Sequence, residues 1–129
     1  MNYIDDFQKV VNWIKEARGV AVELGSTTSF MGHDRNLIII HHNYNRNKNG
    51  LFALLHECGH ALQPSTNVGV NAYKNIDMDE QQKKFNMGRF LNEVDAWNKG
   101  EMIASVLGIE LNEQDWNKCK EESLLTYYV

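Results

Sequence analysis

The side chains best suited to chemistry stand together near the middle of the chain, in His56-Glu57-Cys58-Gly59-His60. Histidines four apart on a helix point the same way, about 40° out of register, so both imidazoles can reach one ion. Glu57, next to the first of them, can hold a water beside that ion and take its proton. Two nitrogen ligands and a carboxylate base at this spacing suit zinc-assisted hydrolysis. Leu51-Phe52-Ala53-Leu54-Leu55 precede the motif and Ala61-Leu62 follow it. This is therefore a core helix that turns polar groups inward, and buried polar groups need partners. The plainer alternative is a pair of satisfied core histidines with a surface glutamate.

Two histidines call for a third protein ligand. Residues 90–107 (FLNEVDAWNKGEMIASVL) read as a second helix. On a helical wheel Glu93 falls within about 40° of Trp97, Gly100, Ala104 and Leu107, whereas Asp95 lies about 160° away. A carboxylate centred on a packing face is costly unless paired or metal-bound. Glu93 is thus the expected third ligand, with water in the fourth place. An ion pair with Arg89, one turn back, is the structural alternative for Glu93. Asp95 becomes the ligand if this helix starts later or kinks, and it can also hydrogen-bond a ligand histidine from behind. His41 and His42 end a strand, and one of them could face the cleft and steady an oxyanion. A strand-end histidine without a role is the simpler reading of each. Tyr73 is a candidate to bind a substrate carbonyl, and is equally an ordinary surface aromatic.

The elements that must position these groups follow from periodicity and punctuation. Residues 3–18 read as an amphipathic helix, with Ile4, Phe7, Val10 or Val11, and Ile14 at helical spacing, Asp5 and Asp6 in its first turn, and Gly19 as its stop. Residues 19–24 suit a short strand, and Gly25 to Asp34 a loop. Arg35 to His42 holds Leu37-Ile38-Ile39-Ile40, a β-branched run expected to be the central strand. Asn43 to Gly50 is the loop into the metal helix, which spans about Gly50 to Gln63 and is disturbed by Pro64, the chain's one proline. Residues 64–88 form a polar connector able to line a cleft. Within it the charge run 77–84 (DMDEQQKK) can open the next helix. Gly108 ends that helix. Asn112 caps a last one, whose inward stripe is Trp116, Cys119 or Lys120, and Leu124. Tyr127 or Tyr128 could fold over the cleft, although packing is the simpler role. The expected fold class is α+β, a small two- or three-stranded sheet packed against the metal-binding helix, with about four helices in all.

Composition bounds the rest. With 129 residues, 43% hydrophobic and 23% charged, the chain suits one domain over residues 1–129 with a modest core. A net charge of −4 does not favour nucleic acid or an anionic membrane. No apolar stretch is long enough to span a bilayer, and Met1-Asn2-Tyr3-Ile4-Asp5-Asp6 lacks a signal-peptide pattern. Cys58 and Cys119 make no disulfide scaffold, and Cys58 reads as a small hydrophobe. The expected location is cytoplasmic.

Leu54-Leu55-His56-Glu57-Cys58-Gly59-His60-Ala61-Leu62 is similar to the LLHELGHAL-type stretch of small zincins. Glu93-Val94-Asp95-Ala96-Trp97 resembles the E-x-E-A-x stretch of the immunity-repressor-cleaving metallopeptidases of bacteria and mobile elements. It also looks like short peptidase-like proteins of bacteriophages, which carry an alanine–tryptophan pair there. The resemblance covers residues 51–62 and 90–108. It implies His56, His60 and Glu93 as ligands to one zinc ion per chain, Glu57 as general base, and a peptide or protein substrate, in host cytoplasm if phage-encoded. Two departures stand out: the family's second glutamate is Asp95 here, and Cys58 replaces the usual leucine or isoleucine. The repressor-like DNA-binding region of longer relatives is not expected, which weakens the transfer of a regulator-cleaving role.

The resulting expectation is a zinc metallopeptidase. Its rivals are a catalytically silent zincin-fold protein that binds or inhibits a host partner, and a zinc hydrolase with a non-protein substrate. An intact Glu57 speaks against the silent form, because binding alone needs no base. Substrate could add as a strand to the sheet edge. Oligomeric state and substrate identity are not written in these residues.

Overall fold

The computed structural model describes residues 3–25, 30–31, 36–41, 47–64 and 78–126, with backbone alone for 30–31 and 78–86. The elements are α1 (Tyr3–Arg18), β1 (Ala21–Gly25), β2 (Phe30–Met31), β3 (Leu37–His41), α2 (Lys48–Ala61), α3 (Met78–Val106) and α4 (Glu113–Leu125). This is the expected α+β arrangement, with four helices among the described residues and one small sheet against α2.

The sheet order is β1-β3-β2, so the β-branched run is central as expected. β1 pairs with β3 in parallel, Val22 opposite Ile38, and β2 pairs antiparallel on the far edge, Phe30 opposite Ile39. Residues 25–34 are thus not wholly loop. Two residues are too few to produce an alternating pattern, and β2 exists because β3 offers an edge to pair with. Along β3 burial alternates, and Ile38 and Ile40 face the helices with no exposed surface.

Helix boundaries move for local reasons. α2 starts two residues earlier than read, because the Asn47 side chain accepts from the Gly50 amide at 3.1 Å and caps the helix. It ends at Ala61, since the residue before Pro64 is pushed out of helical geometry. α3 takes in the 78–84 charge run and continues unbroken to Val106. Gln, Lys and Glu are good helix formers, and solvated charge does not oppose a helix. Asn112 caps α4 as expected, accepting from the Asp115 amide at 3.0 Å. Gly19 and Gly108, the expected stops, take φ of 68° and 70°.

α2 is the hub. Leu51, Leu54, Leu55 and Cys58 are fully buried among Val10 and Ile14 of α1, Ile38 and Ile40 of β3, and Trp97 and Ile103 of α3. Cys58 and Cys119 are free thiols. No helix among the described residues is long and apolar enough to cross a membrane.

Candidate metal centre

The site lies where α2 crosses α3, and the crossing is unusually close. A Cβ on Gly59 would run into the Ala96 backbone carbonyl, and one on Gly100 would stand 2.8 Å from the Leu55 carbonyl oxygen. Glycine on each helix, with Ala96 between, lets the two backbones touch. The contact brings Glu93, one turn before Ala96, over the two histidines.

There the Glu93 Oε2 meets His56 Nε2 at 2.7 Å and His60 Nε2 at 3.1 Å. One donor atom from each of His56, His60 and Glu93 lies within 4.8 Å of the others, so the three could hold a metal ion. The fit to zinc is good. Two imidazoles and a carboxylate are its usual hydrolytic set, and tetrahedral coordination near 2.1 Å puts donors roughly 3.4 Å apart. The side chains are 14%, 18% and 13% exposed, enough for water to reach them.

At the same crossing the Glu93 carboxylate is engaged by the two imidazoles. Asp95 is 48% exposed and bound by Lys99 Nζ at 2.8 and 2.7 Å, away from the three donors. It reaches a histidine only indirectly. Gln63 Nε2 donates to Asp95 Oδ2 at 3.0 Å and to the Asn92 carbonyl at 2.8 Å, while Gln63 Oε1 lies 2.7 Å from His60 Nδ1. The other ligand candidate is held by stacking: the His56 and Trp97 rings lie 4.5 Å apart and 10° from parallel. Trp97 in turn meets Trp116 edge-on, and Trp116 meets Phe52.

Glu57, the expected base, is buried at 8% exposure, with Oε1 3.8 Å from His56 Nδ1. That is beyond a hydrogen bond. Burial pushes its carboxyl above the usual range, opposed by the charges of His56 and His60. Glu93 is driven the other way. Burial would raise it, but hydrogen bonds from His56 and His60, and their charge, bring it to about 2. Burial would lower His60, yet its bonds to Glu93 and Gln63 and the carboxylate charges raise it. Asp95 is lowered by Lys99 and then by Gln63. Burial and the nearby Glu57 raise the Cys58 thiol, which leaves it protonated and inert.

His41 ends β3, half-buried and in register with Gly25. His42, Tyr73, Tyr127 and Tyr128 lie outside the described residues. Sequence reasoning missed Gln63 as a partner of His60, although its place three residues on and directly before Pro64 was a usable signal. It placed Trp97 on the packing face without foreseeing the stack on His56. Comparison with protein-family models, curated proteins and solved structures finds no match.

Proposed function

We propose that this protein is a zinc-dependent peptidase, with His56, His60 and Glu93 holding one ion and Glu57 acting as general base. The observation that carries the reading is Glu57 itself. A site kept only for stability has no use for a buried carboxylate on α2 in addition to Glu93 on α3, and ionised carboxylates are not buried cheaply. Its raised pKa brings it closer to neutrality, where a base exchanges protons most effectively. The peptide bond as substrate rests on the likeness of residues 54–62 and 93–97 to metallopeptidases.

The metal, when bound, would supply Lewis-acid chemistry, polarising a carbonyl and acidifying water. The chain's own residues do the rest. Glu57 accepts the proton of the attacking water as the oxygen–carbon bond forms. It then delivers that proton to the amide nitrogen as the carbon–nitrogen bond breaks. Trp97, stacked on His56, holds that ring in place.

Glu57→Gln tests this directly. The amide is nearly isosteric and cannot accept the proton. Zinc content and melting temperature stay near wild type, and turnover on unfolded protein or peptide pools falls about 10²–10⁴-fold. Equal turnover by the variant and wild type would reject the assignment.

A further inference from the structure

We infer that Gln63 is a positioning residue that commits His60 to offer its Nε2, and no other atom, to a metal, and that α3 sets this choice from outside the cluster. The inference rests on the metal-centre reading and extends it to a residue that is not a ligand.

The argument begins at a backbone carbonyl. The Asn92 oxygen can only accept, and so can the Asp95 carboxylate that Lys99 holds in its ionised form. Both face the same end of the Gln63 amide, at 2.8 and 3.0 Å. That end must be the NH₂. The other end, 2.7 Å from His60 Nδ1, must be the carbonyl oxygen. An oxygen there needs a donor, so Nδ1 keeps a proton, and Nε2, which donates to Glu93 in the metal-free ring, is the atom that can give up its proton to a metal. The orientation is thus set by acceptors on α3, two side chains away from the ring it governs.

Local sequence explains why Gln63 can do this. Residue 63 lies past the end of α2 because Pro64 excludes it from the helix. Its side chain crosses to α3. His56 is clamped differently, by the face of Trp97. The two imidazoles thus share Glu93 but are held on their other sides by different residues.

The test uses the full chain and zinc itself. Zinc affinity is measured by competition with a chromophoric chelator, and exchange of the His60 Nδ1–H proton is followed by NMR in zinc-loaded protein and in chelator-treated protein at mildly acidic pH. Gln63→Leu should lower zinc affinity about 10–100-fold, the usual cost of removing such a partner. It should also expose Nδ1–H to rapid exchange, while the melting temperature of chelator-treated protein stays near wild type. Gln63→Glu combined with Asp95→Asn keeps an acceptor for Nδ1–H and reverses the bond between positions 63 and 95, giving up only the donor to the Asn92 carbonyl, which is exposed enough for water to replace it. It should recover most of the affinity and the protection, which a loss of packing would not allow. Wild-type zinc affinity in Gln63→Leu, or a His60 Nδ1–H that exchanges as fast in wild type as in that variant, would overturn the inference. Wild-type protein that binds no zinc would instead remove the metal-centre reading, and the exchange measurement would still decide whether Gln63 holds His60.

Discussion

Glu93 accepts from two imidazoles through one oxygen, and this sharing has a pH signature. Its carboxyl stands at about 2 against an ordinary 4.5. The stability it contributes is therefore full above 4.5 and is lost as pH falls through about 2. His60 is raised from an ordinary 6.5, so its contribution is full below 6.5 and is lost as pH rises through the higher folded value. In chelator-treated protein, the stability difference between wild type and Glu93→Gln should peak between these ordinary values and shrink on both sides. Denaturant titrations across the acid and neutral range check it, and a difference independent of pH would reject the pairing. Zinc competes with the same protons, so Glu93→Gln should lose zinc strongly while Asp95→Asn, whose oxygens face Lys99 and Gln63, should lose little. Metal titration of the two variants separates them. Equal zinc retention by Glu93→Gln and wild type would remove Glu93 from the ligand set.

At the scale of elements, the site depends on how near two helices can come. Gly59 of α2 lies on the Ala96 backbone, and Gly100 of α3 lies under Leu55 and His56. A methyl group at 59 meets backbone, which cannot swing aside as a side chain can. Gly59→Ala should cost about 3 kcal/mol or more, at the upper end of overpacking effects. It should also weaken zinc binding, although it removes no ligand, because the helices must part and carry Glu93 away from the histidines. Alanine at exposed Gly88 of the same α3, where a Cβ meets nothing within 4 Å, is the control and should be neutral or slightly stabilising. Calorimetric or denaturant unfolding, paired with zinc titration, compares the two. Equal effects would show that the close crossing does not govern the site.

For the molecule as a whole, the three donors come from two helices, 33 residues apart between His60 and Glu93. An ion joining them cross-links the centre of the chain to its second half, and binding to the folded state alone stabilises by mass action. At free zinc about 100-fold above its dissociation constant this is worth about 2.7 kcal/mol, roughly 10 °C in melting temperature for a chain of this size. Thermal unfolding with zinc and with chelator reads the shift directly. His56→Ala should lose it, and a shift that survives the substitution would mean that zinc acts elsewhere.

The chain's own pattern determined the parts that depend on near neighbours. The i, i+4 histidines, the apolar frame of α2, the β-branched run of β3 and the Asn112 cap each follow from periodicity or one local hydrogen bond. Glu93 was legible for a related reason, as a charge at the centre of an apolar helical face. Only the tertiary structure brought that charge against the histidines, because its place on the wheel, which favoured the ligand reading, also allowed a pair with Arg89. It also decided β2, a strand only because β3 lies beside it. The bonds from Gln63 to Asn92 and Asp95, and the Trp97 stack on His56, required α2 and α3 to touch at Gly59 and Gly100. Contacts across a helix crossing depend on the separation and rotation of two elements, and neither quantity is periodic in either helix's sequence.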